Sequence, residues 1–530
     1  MAILRTPHPK SAASSGVPGL AALVLLFCFS LLQAQTLPPG QWPAEYIAWL
    51  QARGELTGLS PFLQPFEIGE IQPRLAESAG GERAGSAGMH ARSLDEILNR
   101  RRLEPGEASV AVVSDNRLLK EPFAGTLPGE AIFNPADAWL YYGRQRLELA
   151  WRPKSWLQLF NTMLLDNRLD EHPGYVGILQ EGFASYTERA GVRLQHDGFS
   201  VMIGREYLRI GPGFDASLLV SPWSRPLDQI ALGWRNRWLR YDFVTASLDP
   251  SPWLLEGGGP RNRYISLHHL QVRPLKRLYL GIGEAMLYTG SAPAFNYLNP
   301  FLAWYGEITN GPVGGNIMGS LHIAALPWDH LTLHADLLID DIQLEKSGPG
   351  DLEPAEYGLM AGLRWADPLT IRGGDLILEY TRITNRTFNG EGGPWERWLH
   401  RNEPIGHFLG NDFERWLAGF SWWPVPALRA ALTLDLRRRG EGRIDKPFDR
   451  PWLDTPPGGE YSEPFPTGVV EESGRFTLDL SWQPRPAMRA HARIGWCDVA
   501  SLNHVIGVNR SEWMGGLGLE VDVRRKFRLE

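Results

Sequence analysis

The sequence predicts an all-β transmembrane barrel, antiparallel and of about 18 strands, preceded by a small N-terminal periplasmic α-helical segment. Three observations support this prediction: runs of about ten residues alternate apolar and polar side chains, aromatic residues cluster at the ends of these runs, and short connections alternate with long ones. Ten residues suffice for a tilted strand to cross a bilayer, and aromatic girdles mark its two interfaces. A soluble, secreted β-protein with its apolar face inward is the structural alternative.

The composition excludes several other classes of protein. The 530 residues include 43% hydrophobic and 11% aromatic side chains, so the chain is not disordered. With 53 Lys+Arg against 60 Asp+Glu the net charge is modestly negative, and we expect no nucleic acid partner. Two cysteines are too few for a disulfide framework or a cysteine zinc site. The mean hydropathy is −0.24, and only one segment is apolar enough for a membrane helix.

That segment belongs to residues 1–34, which have the layout of a secretory signal peptide. Arg5 and Lys10 form a basic leader, residues 19–32 are apolar, and cleavage is expected after Ala34. The apolar block is too short to span a bilayer as a helix. We therefore expect an exported chain that reaches the cell outer membrane after cleavage, with the outer-membrane assembly machinery as a partner.

Residues 35–107 are predicted to form a periplasmic helical segment with a flexible linker. A first helix is expected around residues 46–50, and a second short helix is expected to be interrupted by Pro73. Ser93 has the position of an N-cap for a third helix. Residues 78–91 are rich in Gly, Ala and Ser, which is typical of a linker.

Residues 108–530 are predicted to form the outer-membrane barrel with long extracellular loops. The period of the apolar pattern changes to two, most clearly in the runs that begin at Leu331, Leu428, Phe476 and Leu517. Eight short connections lie near residues 152–155, 196–198, 235–237, 274–276, 327–329, 366–374, 424–426 and 484–485. If both ends of the barrel are periplasmic, eight turns imply nine outer loops and 2 × 9 = 18 strands. Closure into a barrel leaves no unpaired edge in the bilayer.

The long loops carry the candidate functional residues. Aromatic faces pack against the apolar faces of sugar rings, while amides and charged groups bind hydroxyls or a uronate carboxylate. By this chemistry the candidate polysaccharide-binding residues are Trp304, Tyr305, Asn316, Trp395, Arg397, Trp398, Arg401, Asn402 and Asp412. The alternative is that these groups hold the loops together or meet lipopolysaccharide at the outer interface.

Four other residues are predicted to be structural, in the lumen or at the rim. Gly211 and Gly213 flank the stiff Pro212 and predict a tight reversal that folds into the lumen. Asp340 and Asp341 are adjacent on a strand, so they point to opposite faces and cannot form a facing carboxylate pair. Asp341 is expected at the rim, where it would meet a cation or a loop.

Several of these motifs resemble the capsule-assembly outer-membrane protein family typified by Wzi. The most specific match is GREYLRIGPGFDASLLVSPWSRPLDQIAL, residues 204–232; shorter matches are Asn299 with Pro300, residues 337–342 and residues 401–412. Residues 65–68 resemble the start of the family's helical bundle. The resemblance covers most of the mature chain and implies an 18-stranded outer-membrane barrel with a small periplasmic bundle. The strand count above therefore draws on this resemblance as well as on the turns.

The resemblance also implies a function: a lectin-like protein that holds capsular or extracellular polysaccharide at the cell surface and supports capsule assembly. Outer-membrane lipids and lipopolysaccharide are further expected partners. A porin or substrate channel is one alternative, because the polar faces carry charges of both signs. A barrel enzyme on lipid or glycan is another, although the sequence has no His-Glu-x-x-His, Gly-x-Ser-x-Gly or phosphate loop. We expect no enzyme, no cofactor and no metal centre.

Overall fold

The computed structural model describes most of the chain, within the compact unit Leu32–Glu530. The predicted signal peptide lies outside the described residues. The undescribed residues are 1–35, 38–41, 81–85, 121–122, 128–129, 134–138, 170–176, 181, 222, 251–261, 311–313, 343–351, 391–392, 448, 457–458 and 530. No helix in the part of the chain that is described is long and apolar enough to cross a membrane.

Eighteen antiparallel strands form one closed barrel, which confirms the predicted fold class. The strands are β1 (Glu107–Lys120), β2 (Leu140–Lys154), β3 (Leu157–Asp166), β4 (Ala184–His196), β5 (Phe199–Glu206), β6 (Leu227–Arg235), β7 (Leu239–Leu248), β8 (Asn262–Leu275), β9 (Leu278–Gly290), β10 (Gly315–Trp328), β11 (Leu331–Asp341), β12 (Glu356–Ala366), β13 (Gly374–Ile383), β14 (Phe413–Val425), β15 (Leu428–Arg439), β16 (Glu471–Arg485), β17 (Met488–Ala500) and β18 (Arg510–Arg528). Each strand pairs with its neighbours in sequence, and β18 pairs with β1. No strand of the barrel is therefore left with an unpaired edge, as a bilayer requires.

Short turns join the strands at one end of the barrel, and long loops join them at the other. Each predicted turn lies at or beside an observed one; the longest spans residues 367–373 and contains the 3₁₀ helix Pro368–Thr370. We number the long loops L1 to L9 in chain order. The loops used below are L3 (207–226), L5 (291–314), L7 (384–412), L8 (440–470) and L9 (501–509).

Many apolar side chains of the strands face away from the lumen. Val112, Leu232, Ile282, Leu432 and Leu519, on five different strands, all have exposed side chains on the outer wall. A soluble β-protein would bury these groups, whereas a transmembrane barrel presents them to lipid. The exposed apolar wall therefore favours the barrel over the soluble alternative.

Three helices precede the barrel: α1 (Trp42–Ala52), α2 (Ile68–Gly80) and α3 (Ser86–Arg101). Two local predictions were wrong. Pro73 lies inside α2 without ending it, and Ser93 lies within α3, which begins before the predicted cap. Parts of the predicted linker are therefore helical, because α2 and α3 pack together and tertiary packing overrides local composition.

The helical segment packs against the turn end of the barrel. Trp49 of α1 is fully buried, and its indole N–H donates to the Gly374 carbonyl oxygen at 2.9 Å. Trp423 of β14 is buried in the same apolar cluster. Glu45 of α1 forms an ion pair of 2.8 Å with Arg429 of β15. The segment thus covers the end that the sequence predicts to be periplasmic.

Candidate functional site

Loop L3 folds into the lumen. Its residues Leu218, Leu219 and Val220 are fully buried there. The reversal at its start needs glycine, because Gly211 has a φ of +136° and a Cβ would press against Ser217 and Asp336. The Gly211 N–H donates to the Phe62 carbonyl oxygen at 2.9 Å. L3 thus meets the segment 59–64 inside the barrel, and Gly211 and Gly213 lie in the lumen.

Loop L7 lies on L3 and covers part of the lumen. The buried Trp398 indole N–H donates to the Leu219 carbonyl oxygen at 2.9 Å. The Ser221 N–H donates to the Ile405 carbonyl oxygen at 2.8 Å. Arg225 of L3 forms an ion pair of 3.1 Å with Glu403. These contacts make L3 and L7 one packed unit, in which Trp398 is an internal side chain.

Several predicted site residues hold L7 in place. The buried Asp412 carboxylate accepts hydrogen bonds from the N–H groups of Gly442 and Thr467, at 2.9 and 3.0 Å. Burial raises the pKa of Asp412. The Arg397 guanidinium donates to the Asp445 carbonyl oxygen at 2.7 Å. Burial lowers the pKa of Arg397. Both residues therefore connect L7 to L8.

The remaining L7 candidates lie nearer the surface. Trp395 is half-buried, and its carbonyl oxygen accepts a hydrogen bond from Arg263 at 3.0 Å. Arg401 and Asn402 form a turn with positive φ values of 52° and 63°, and both are half-buried. The Arg401 N–H donates to the Asp249 carboxylate at 2.8 Å.

Three further candidates lie on the barrel wall near the loop end. Asn316 is buried on β10, and its side-chain amide donates to the Glu396 carbonyl oxygen at 3.2 Å. Asp340 accepts a hydrogen bond from the Phe388 N–H of L7 at 2.6 Å. Asp341, the last residue of β11, is exposed. Trp304 and Tyr305 lie elsewhere, on the outer wall of the barrel.

A cavity of about 560 Å³ lies in the lumen, lined by L3, the helical segment and strands on both sides of the barrel, among them β1–β4 and β9–β12. Part of its wall carries ion pairs in which the guanidinium is more exposed than the carboxylate. Arg144 on β2 has a side chain 46% exposed, whereas its partner Asp166 is 3% exposed at 2.6 Å. Arg117 and Asp115 show the same arrangement, with 42% and 5%. This part of the wall therefore presents guanidinium groups to the cavity, whereas Glu45 and Asp215 present carboxylates elsewhere on its lining.

Trp223 of L3 stands at this cavity with 58% of its surface exposed. Its indole N–H donates to the Asp215 carbonyl oxygen at 2.7 Å, and its ring lies 5.3 Å from that of Phe408. The Asp215 carboxylate pairs with Arg415 at 2.6 Å, which in turn pairs with Asp435 at 3.0 Å. Burial opposes ionisation of Asp215, but Arg415 brings the pKa of Asp215 below its usual value.

The sequence reasoning missed both Trp223 and the arginine wall as site features. Trp223 has a sequence signal, because it follows a proline inside the most specific of the family-like motifs, residues 204–232. Arg144 and Arg117 have a weaker one, since each sits on the polar face of a strand. Their common orientation toward one cavity depends on barrel closure, which no local pattern reports.

Comparison with known proteins identifies the family. The sequence profile of the capsule assembly protein Wzi family matches residues 107–522. The chain belongs to this family. Its structure is similar to that of Wzi from Escherichia coli, with 14% sequence identity, 92% of this chain and 99% of that chain covered, and a TM-score of 0.58. At 14% sequence identity this similarity concerns the fold alone.

Two solved structures of Pseudomonas aeruginosa proteins resemble the chain more weakly. OprD matches with a TM-score of 0.44, 11% identity and coverage of 79% of this chain and 95% of that chain. OpdQ matches with a TM-score of 0.43, 12% identity and coverage of 80% and 100%. No curated sequence matches the chain. Family membership and the closed 18-strand barrel together make the protein an outer-membrane barrel.

Proposed function

We propose that this barrel is a lectin-like protein that binds capsular or extracellular polysaccharide at the cell surface and supports capsule assembly. The observation that carries the proposal is the exposed Trp223 beside a cavity whose lining includes exposed arginine side chains, Arg144 and Arg117. An aromatic plane can stack on the apolar face of a sugar ring. Guanidinium groups bind carboxylates in bidentate fashion. An acidic polysaccharide fits both features.

The family relationship supports the same function. The E. coli Wzi protein is described as an outer-membrane protein involved in group 1 capsule assembly and as a carbohydrate-binding β-barrel. On this proposal the chain acts by binding and not as an enzyme, and it needs no cofactor. Outer-membrane lipids, lipopolysaccharide and the assembly machinery remain predicted partners.

A complementation experiment tests the proposal. In a source strain deleted for the gene, cell-attached and released polysaccharide would be measured after complementation with the wild-type chain, Trp223→Ala or Trp513→Ala. Trp513 is a matched control, because it is 60% exposed but lies on the outer wall at β18. We expect Trp223→Ala to shift polymer from cells to medium with total synthesis unchanged, and Trp513→Ala to retain it. Equal retention by both variants would remove Trp223 from the binding site.

The ligand class is tested with purified protein. Polysaccharide extracted from the same strain should bind the detergent-solubilised barrel, and the affinity should fall as salt rises, because the cavity arginines contact anionic groups. A carboxyl-reduced form of the same polymer provides the matched neutral probe. If the reduced polymer binds as tightly as the native one, the ligand is recognised without its charge.

Single-channel recording separates this function from that of a porin. L3, L7 and the segment 59–64 fill one side of the lumen, and the helical segment covers the turn end. We therefore expect a conductance in planar bilayers far below that of an open 18-strand barrel. A large, steady conductance of the wild-type chain would favour the channel.

A further inference from the structure

Loop L5 lies against the outside of the barrel, on the wall that faces the membrane. It follows β9 and contains the short helix α4 (Tyr305–Asn310). Trp304 and Tyr297 of L5 are fully buried against Phe243, Met286 and Tyr288. These three wall residues are on the side of their strands opposite to the lumen-facing Val244, Ala285 and Leu287, which belong to the internal core. L5 therefore packs on the outer wall and not over the barrel mouth.

The tip of L5 descends deep along this wall. The Tyr241 hydroxyl donates to the Pro300 carbonyl oxygen, and the Phe301 ring stacks on Tyr241 at 6.0 Å with an interplanar angle of 11°. Tyr241 is the third residue of β7 from the turn end. Through the strand register it lies in one row with Leu270, Ile282 and Leu321. Ile282 and Leu321 are exposed apolar residues of the outer wall.

L5 covers two ionisable groups on the same wall. His268 of β8 and Glu284 of β9 are direct cross-strand partners and form an ion pair of 2.9 Å, one row nearer the loop end than Tyr241. The Glu284 carboxylate accepts hydrogen bonds from the N–H groups of Trp304 and Tyr305, at 3.0 and 2.9 Å. The Trp304 ring stacks on His268 at 4.4 Å. Uncovered charged groups at this depth of a barrel wall are costly in lipid.

The outward surface of L5 carries three large aromatic side chains. Phe295 and Phe301 are 90% and 88% exposed, and Tyr305 is 70% exposed. The backbone behind them is folded on itself: the Tyr297 and Leu298 N–H groups both donate to the Ala294 carbonyl oxygen at 3.1 Å. A non-helical segment in the bilayer needs its backbone N–H and C=O groups hydrogen-bonded within the protein.

We propose that L5 is an intramembrane flap whose exposed aromatic surface contacts the acyl chains of the bilayer. Two observations indicate that lipid is what contacts this surface. Phe301 continues a row of exposed apolar residues on an outer-membrane wall, and the inner side of the flap shields His268 and Glu284. The flap gives the barrel a lipid-interaction surface separate from the polysaccharide site.

Spin labelling tests this proposal. In a Cys497→Ser background, single-cysteine variants Phe295→Cys and Phe301→Cys would carry a nitroxide label in phosphatidylcholine vesicles. Ile282→Cys on the bare wall supplies the lipid reference, and Ile506→Cys in L9, 80% exposed, supplies the aqueous reference. Heat-modifiable migration confirms that each variant folds. The readout is the ratio of collision rates with oxygen, which concentrates in lipid, and with a nickel chelate, which stays in water.

We expect the labels at positions 295 and 301 to give the ratio found at 282, several-fold above that at 506. A ratio like that at 506 overturns the proposal, because the loop would then stand in water. Dipolar broadening between labels on two protomers, lost on dilution with unlabelled protein, also overturns it, because a second copy would then cover the flap. Neither outcome affects the polysaccharide experiments, which depend on Trp223.

Discussion

Two halves of the barrel lumen carry opposite chemistry. Along β7–β14 the lumen is packed with apolar side chains, and Leu287, Met318 and Met360 point from the wall into the cluster formed with L3, L7 and Phe62. Along β1–β4 and β17–β18 the wall carries ion pairs, such as Arg144 with Asp166, and lines a cavity to which β9–β12 contribute fewer residues. One half therefore holds the loops in place, and the other presents a charged surface.

This difference shows that the polarity of an inward-facing residue indicates whether protein or water lies opposite it in the barrel. In β15, β16 and β18 the alternation of apolar and polar residues is nearly strict, whereas β11 places the apolar Leu338 among the polar positions of its inner face. Leu338 is fully buried in the packed half. An apolar residue on the polar face of a barrel strand thus indicates that protein, and not water, lies opposite it.

Among the substitutions considered, Trp398→Ala should destabilise the packed half of the lumen, along β7–β14, the most. Loss of this fully buried ring and of its bond to Leu219 should destabilise the L3–L7 unit by about 3–5 kcal/mol. Amide exchange at Ser221, whose N–H bonds to L7, measures the effect. Trp395→Ala is the neighbouring control, because Trp395 is only half-buried and should cost much less. Equal protection of Ser221 in both variants would mean that L3 stays closed without Trp398.

The second-largest effect is expected in the ion network that joins Asp215 of L3 to Arg415 and Asp435. Arg415 is 3% exposed between Asp215 and Asp435, so Arg415→Ala removes the partner of Asp215 and leaves Asp435 with Arg437 alone, which should cost up to about 3 kcal/mol of unfolding free energy. Arg493→Ala is the matched change in the open half, where Arg493 and Asp479 are 42% and 22% exposed, and should cost less than about 1 kcal/mol. Guanidinium titration in lipid vesicles compares the two; similar losses would contradict the division into halves.

Acidification should loosen the packed half through His407. This fully buried side chain stacks on Phe408 and Phe413, and burial together with Arg415 lowers the pKa of His407 to about 3. The unfolded loop binds a proton near pH 6.5 and the folded loop does not, so stability falls as the pH drops below that value. Between pH 7 and pH 5 the loss should be about 2 kcal/mol, measured by amide exchange in L7.

His407→Asn is the control for this pH dependence, since it cannot take up a proton. The other titratable groups near His407 are Asp215 and Asp435, both paired with Arg415, and they stay ionised in this range. Asp412 acts in the opposite direction, because its raised pKa makes the folded loop bind protons more readily. An unchanged pH slope in His407→Asn would exclude His407 as the responsible group.

The smallest structural effect is expected in the open half. Arg144→Gln removes a guanidinium that is 46% exposed, and the glutamine amide can still donate to the buried Asp166 carboxylate, so the unfolding free energy should fall by only about 1 kcal/mol. Binding of the acidic polysaccharide should nevertheless weaken, and the salt dependence of the affinity should become shallower. Arg205→Gln, at a rim pair with Asp228 that does not line the cavity, should leave binding unchanged. Equal binding losses in both variants would indicate a general charge effect.

The predicted loop residues show that side-chain type alone does not distinguish a binding residue from a packing residue. Trp398, Arg397 and Asp412 have the side chains that a glycan site needs, and in the folded chain the same groups tie L7 to L3 and L8. Aromatic, guanidinium and carboxylate groups serve packing and recognition equally well. Their role is decided by exposure, and exposure depends on residues far away in sequence.

The sequence by itself determined the strands, the eight turns, the closed barrel and the family, because period-two patterning and turn residues act over a few positions. Only the tertiary structure decided that L7 packs on L3, that L5 packs outside the barrel, and that arginines from separate strands line one cavity. These outcomes depend on contacts between segments up to hundreds of residues apart, such as Arg415 with Asp215. Local propensity carries no information about such contacts, since it is satisfied equally by any placement of a loop.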